Sequence, residues 1–231
     1  MGKQEEECKK IKESIDVLRG KQEDLENSMG ERLKEFVKKN EFGDELTKNQ
    51  WNLSMNQKKQ LEKWTSLKCS DILFDSIVDN WSKDTSVFDD RIIGKKQLTF
   101  LIEDTDGEIF GYYFNTEIIK KYWLQEPDFN SFHFNLQSQN NRLKQPMKFE
   151  IKNSKYGGIQ LREKSHDGLI DLGNISLTKK NYKNQSCCGQ DQWNFDYHGI
   201  PNTLCGKIIY KENDEWNGFF IPKRILVIQM K

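Results

Sequence analysis

Leu98-Thr99-Phe100-Leu101-Ile102-Glu103-Asp104-Thr105-Asp106-Gly107-Glu108-Ile109-Phe110-Gly111-Tyr112-Tyr113-Phe114 is the stretch on which the reading of the fold turns. Its halves, residues 98–103 and 108–114, are runs of apolar and aromatic side chains, and Asp104-Thr105-Asp106-Gly107 stands between them. Asp-Gly between apolar runs is a strong hairpin signal, because glycine accepts the positive φ that a tight turn needs. Working outward, further strand candidates fall at residues 131–136, 147–151, 159–163, 169–172, 175–177, 207–210 and 224–229. Many short strands with turns between them predict an α+β, β-dominant sandwich with some helices around it.

Helical signals lie mainly before these strands. A helix is expected over residues 54–67, capped by Ser54, with Leu61, Trp64 and Leu67 as an apolar stripe for core packing. Asp84-Thr85-Ser86 reads as the cap of a short helix over 87–92. In the first forty residues, Cys8, Ile11, Ile15, Leu18, Leu25 and Met29 recur at gaps of three and four, with Gln22 in the remaining slot. That is a heptad seam on one helix face. Glu5–Lys9 and Glu6–Lys10 stand in the favourable i, i+4 order. A single helix with so thin a seam is marginal in water, so Ile11, Ile15, Leu18, Leu25 and Met29 are expected to form a self-association seam. Gly20 and Gly30 weaken it by about 1 kcal/mol each against alanine. The organisation is therefore a coiled-coil helix over 1–40, a linker with the second helix over 41–69, and a β-rich domain over 70–231.

Composition narrows the function. Lys and Arg together number 36, as do Asp and Glu. A balanced chain gives no global case for phosphate backbones or anionic lipid, and local basic patches such as Lys58-Lys59 and Lys179-Lys180 with Lys183 stay open. Membrane spans need about 20 consecutive apolar residues, and residues 225–228 are only strand length. Met-Gly-Lys-Gln-Glu-Glu carries no apolar signal core, and Glu6 stands where a myristoylation signal wants Ser or Thr. The cysteines are Cys8, Cys69, Cys187, Cys188 and Cys205, an odd and scattered set that reads as reduced thiols in the cytosol or nucleus.

Asp104, Asp106 and Gly107 mimic the start of a calcium loop, but Asn115 holds the twelfth position, and a hairpin turn is the better reading. Cys187, Cys188, His198 and Cys205 share a window without the paired spacing of zinc sites. Cys187 and Cys188 lie downstream of lysines that favour a thiolate, so they are the candidate redox-sensitive pair. Trp193, Phe195, Tyr197 and His198 alternate with the strand period. Phosphate-binding and nucleophile-elbow motifs are missing from the sequence, and His133, His166 and His198 as potential bases have no surrounding signature. No catalytic, cofactor or metal residues are expected.

The order of segments resembles a TLDc domain, the domain of oxidation-resistance proteins. Ile72-Leu73-Phe74-Asp75-Ser76 followed by Asp84-Thr85-Ser86-Val87-Phe88 is similar to its opening, and the hairpin at 100–111 to its most recognisable stretch. Ser131-Phe132-His133-Phe134-Asn135-Leu136 resembles its next strand, Gln185-Ser186-Cys187-Cys188 its Ser-Cys turn, and residues 225–230 its closing strand. The resemblance covers about residues 70–231. It implies a sandwich of two antiparallel sheets with peripheral helices, no established catalytic residues, and a part in oxidative-stress resistance. In several family members it also implies binding to the vacuolar proton-pump ATPase. The expectation is a non-enzymatic regulatory protein that binds protein partners and forms homo-oligomers through its first helix. The alternative is a nucleic-acid-binding transcriptional regulator.

Overall fold

The structure is a computed structural model that describes residues 19, 21–22, 53–119, 122–138, 143–152, 157–180, 186–189, 198, 207–212 and 215–231. The apolar residues of the heptad seam lie outside the described residues, while Gln22 in its remaining slot is helical and exposed. The first element is helix α1 (Met55–Thr65), then strand β1 (Cys69–Asp75), helix α2 (Phe88–Ile92) and strands β2 (Leu98–Asp104), β3 (Ile109–Phe114), β4 (Phe132–Gln137) and β5 (Met147–Glu150). Next come β6 (Ile159–Leu161), β7 (Gly168–Leu172), β8 (Ile175–Thr178), β9 (Ser186–Gly189), β10 (Lys207–Glu212), β11 (Glu215–Phe220) and β12 (Pro222–Met230). Two antiparallel six-stranded sheets result. Sheet 1 has the order β1-β12-β2-β3-β4-β5, and sheet 2 the order β10-β11-β9-β8-β7-β6. The chain changes sheet at Ile221, between Phe220 and Pro222. A proline is tolerated as the first residue of a strand, where its missing N–H breaks no ladder.

Alternation sets what lies between the sheets. Leu98, Phe100 and Ile102 of β2, Phe110, Tyr112 and Phe114 of β3, and Ile225 and Val227 of β12 share one buried cluster with Ile170, Leu172, Ile175, Leu177, Cys188 and Phe220 of sheet 2. Phe110 meets Phe220 edge-on across the layer at 5.1 Å. The opposite face of sheet 1 is buried too: Leu101, Tyr113, Phe132, Phe134, Leu226, Ile228 and Met230 are all covered. Trp64 of α1 packs on Phe132 and Phe134 at 6.3 and 6.2 Å. A strand covered on both sides reads as a continuous apolar run, which is why β2 shows no polar alternation.

Most of the expected elements form within a residue or two. Ser54 caps α1 through a capping box, its Oγ accepting from Gln57 N while the Gln57 side chain accepts from Ser54 N. Ser86 Oγ accepts from Phe88 N at the short helix. In the 98–114 hairpin, Asp104 Oδ1 accepts from the N–H groups of Asp106 and Glu108, both at 2.9 Å, and Gly107 takes φ +82°. Asp104 is spent on its own turn. Gly111 has to be glycine, because a Cβ there would lie 1.9 Å from the Phe100 carbonyl oxygen. Three segments differ from expectation. Residues 69–75 form a full edge strand, the Ser-Cys segment at 186–189 is strand β9, where the resemblance implied a turn, and Glu215–Phe220, outside the strand candidates, is strand β11.

His133 lies on the inner face of β4, opposite Tyr112 in register, with ring centroids 4.5 Å apart. Complete burial holds its pKa down, to about 3, against an opposing contribution from the Gly111 backbone. The unfolded chain has an ordinary histidine near pH 6.5. Between those values the unfolded state binds a proton that the folded state does not, so stability is lost as pH falls from about 6.5 towards 3. Urea unfolding across that window should show a shallower loss for His133→Leu than for the parent chain; parallel curves would contradict the assignment.

Candidate functional site

The strand registers divide sheet 1 into two ends. Asp75↔Leu226, Pro222↔Asp104 and Glu103↔Ile109 lie at one end, and Cys69↔Met230, Gln229↔Leu98, Leu98↔Phe114 and Tyr113↔Phe132 at the other. Each end carries exposed apolar side chains on a closely bonded frame.

At the first end the frame is the turn after β1. Arg224 of β12 and Asp75 of β1 are both buried, and Arg224 donates through Nε to Asp75 Oδ1 at 3.1 Å and through Nη2 to Oδ2 at 2.6 Å. The Asp75 carboxylate also accepts from Ile77 N, and its carbonyl accepts from the N–H groups of Val78 and Asp79. Asp79 returns a bond by accepting from Asp75 N, and it pairs with Arg91 at 3.3 Å. Ser76 N donates to Ile225 O, Ile225 N to Ser76 Oγ, and Trp81 Nε1 to Ser76 O. On this frame Ile77 and Val78 stand 64% and 79% exposed. Ile221, at the sheet change, is exposed at the same end.

At the second end the frame is the long loop between β3 and β4. Ile118 is buried, donates to Lys95 O and accepts from Gly94 N. Gln125 exchanges both backbone bonds with Ile159, while its side chain accepts from Ile119 N and donates to Glu117 O. Gly158 permits that approach, since a Cβ there would come within 2.6 Å of Gln125 O. Asp128 closes the return by accepting from Asn115, Asn130 and Ser131. Ile119, Tyr122, Trp123, Leu124 and Phe129 project from the loop into solvent. Neither group of exposed side chains was singled out in the sequence. The one available signal was apolar residues at 119 and 122–124 in a stretch without strand alternation.

The cysteines are placed differently from the reduced, reactive pair that the sequence suggests. Cys188 points into the inter-sheet core and is disulfide-bonded. Cys187 is a free, half-buried thiol. Burial pushes its pKa up, and Asp171 adds to the effect. Cys69 is pushed up to about 12 by burial, with Glu62 adding. Neither Lys179 nor Lys180 contributes to the shift at Cys187. Lys179 turns its ammonium into the carbonyl oxygens of Glu163, Lys164 and His166, and Lys180 bridges Ser82. Cys8, Lys183 and Cys205 lie outside the described residues. His198 is exposed and donates its backbone N–H to Glu150 O. Among the described residues no cluster of three His, Cys, Asp or Glu side chains could hold a metal ion.

With the geometry in place, comparison with known proteins adds no relative: no family model matches the chain, and no curated protein does.

Alkylation of chain purified without reductant should modify Cys69 and Cys187 slowly in the folded state and fully in denaturant, because a raised thiol pKa leaves little thiolate at neutral pH. Cys188 should label only after reduction. Peptide mass spectrometry reads all three, and labelling of Cys188 without reductant would contradict the disulfide.

Proposed function

We propose that the chain is a non-enzymatic regulatory protein of the TLDc type that acts by docking a protein partner in the response to oxidative stress. One observation carries this reading: Ile77 and Val78 are displayed, largely exposed, on a turn whose backbone is bonded on every side and anchored by a buried ion pair. Exposed apolar side chains held rigidly lose little conformational entropy on binding, so more of the contact energy becomes affinity. The sequence resemblance of the 72–76 opening and the 100–111 hairpin supports the family reading, and the two-sheet architecture is compatible with it. The resemblance also supports the vacuolar proton-pump ATPase as the partner to try first. The heptad seam over 1–40 supports homo-oligomerisation, which would multiply a weak docking contact. Placement of His133, one of three candidate general bases, in the core with its pKa near 3 weighs against hydrolytic chemistry at that residue.

Binding of the full chain to purified vacuolar proton-pump ATPase tests the reading. Ile77→Asp with Val78→Asp should weaken the complex at least tenfold, since loss of a central apolar anchor costs more than about 1 kcal/mol. Thermal stability should stay within the range of ordinary surface substitutions, because both side chains already face water. Equal binding by the variant would contradict the docking role of the turn, and absence of binding by the parent chain would remove this partner.

A further inference from the structure

Helix α1 ends against the paired tips of β1 and β12. Lys68 and Lys231 exchange both backbone bonds there, at 2.6 and 2.8 Å. Glu62 joins helix to strand: its Oε1 accepts from Cys69 N at 3.2 Å and its Oε2 from Lys68 Nζ at 2.9 Å. Ser66 takes φ 58° at the turn between them, and Leu67 N donates to Thr65 Oγ1. Leu61 is fully buried and Trp64 packs on Phe132 and Phe134, which fixes the face that α1 turns outward. These elements frame an open groove of about 540 Å³, lined by Lys59, Lys63, Lys68 and Lys231 with Glu62 and Ser66 between them.

Charge in and around the groove is in positive excess. Lys58 is close enough to act on Glu62, and Lys95 on Asp71. The acidic groups are Glu62, paired with Lys68, Asp71, paired with Lys231, and the α-carboxylate of Lys231 itself. Six lysines therefore face three carboxylates. A helix C-terminus carries about half a negative charge and needs one cation to complement it, so the helix end does not account for the excess. Lys59 and Lys63 stand one turn apart on α1, exposed, with no carboxylate partner among the described residues. Like charges at that spacing destabilise a helix, and an anion held between them removes the repulsion.

The lining narrows the kind of anion. A volume of about 540 Å³ is that of a small-molecule site. No aromatic ring lines the groove to stack a base, and no arginine fork lines it to read a base edge. Lysines are point charges that suit phosphate in many orientations. We propose that this groove binds a compact anion carrying several phosphates. Lys59 and Lys63 make the principal contacts, and Lys68 and Lys231, already engaged by Glu62 and Asp71, close the rim. Free inositol polyphosphates and phosphoinositide headgroups share this chemistry. The groove lies at the end of sheet 1 opposite the docking turn, so one copy can hold the anion and a protein partner together.

Isothermal titration of the full chain with inositol hexakisphosphate tests the proposal. The parent chain should bind, and more weakly as salt is raised. Lys59→Glu with Lys63→Glu should weaken binding about tenfold. Lys59→Gln with Lys63→Gln, which keeps the helix propensity, should weaken it by about threefold. Lys144→Glu with Lys180→Glu makes the same change in net charge at exposed lysines outside the groove and should leave the affinity unchanged. Ile77→Asp with Val78→Asp should also leave it unchanged. Co-sedimentation with phosphatidylcholine vesicles, with and without phosphatidylinositol 4,5-bisphosphate, separates the two sources: sedimentation with the phosphoinositide vesicles assigns a headgroup, and its absence beside binding of the free phosphate assigns a soluble ligand. Failure of the parent chain to bind inositol hexakisphosphate at low salt would overturn the proposal. So would undiminished binding by both Lys59/Lys63 variants, or an equal loss in the Lys144/Lys180 variant.

Discussion

Asp75 and Arg224 are 149 residues apart in the chain and form a doubly bonded pair with almost no access to solvent. Taking two such charges out of water costs several kcal/mol for each, and only close, fully bonded geometry offsets it. The pair meets that condition: Arg224 supplies two donors, and the Asp75 carboxylate accepts a further N–H from Ile77. Removing either partner from such a pair strands the other charge and costs about 3–5 kcal/mol. Nonspecific apolar packing would leave the register of β1 on β12 weakly defined. The ion pair fixes it, and with it the position of the turn that follows.

What the pair organises extends beyond two strands. β12 lies between β1 and β2 and carries Ile225 and Val227 into the inter-sheet core and Leu226 and Ile228 onto the outer face. Its placement sets how sheet 1 presents both faces to their coverings. The chain reaches β12 directly from β11 of the other sheet, so the sheet change at Ile221 is held on one side by Phe220 against Phe110 and on the other by Arg224 against Asp75. The two ends of sheet 1 then offer different chemistry. One presents a small rigid apolar turn, and the other a longer loop with Ile119, Trp123 and Leu124 exposed. A sheet buried on both faces has little surface except its ends and edges, and loops on a rigid scaffold are where binding tends to be placed.

Much of this architecture was legible because local chemistry and tertiary structure agree. The 98–114 hairpin follows from its Asp-Gly turn, and α1 begins at Ser54 because Gln57 completes the capping box. Other elements were hidden for physical reasons. β1 has register shifts on either side of Ile72, which break the alternation that would mark it as a strand. Such bulges also make an edge a poor template for pairing with another chain. β9 is only Ser-Cys-Cys-Gly, with no β-branched residue, and forms because β8 and β11 supply partners on both sides. The adjacent cysteines looked equivalent in the sequence, yet strand alternation sends Cys188 into the core and leaves Cys187 half-exposed. The turn at Ile77 and Val78 left no mark in the sequence, because its placement depends on Arg224, far away in the chain. The apolar loop was missed because its projection depends on bonds from Gln125 to β6.

The central claim is that a buried ion pair holds the turn after β1 as a rigid part of the core. Native-state amide hydrogen exchange followed by NMR at Ser76, Val78, Asp79 and Ile225 addresses it most directly, because each of these N–H groups is bonded within the frame. The account predicts that they exchange only through global unfolding, with protection equal to that of the β2 and β12 amides. Exchange of these four amides at rates typical of mobile loops, while β2 and β12 stay protected, would contradict it.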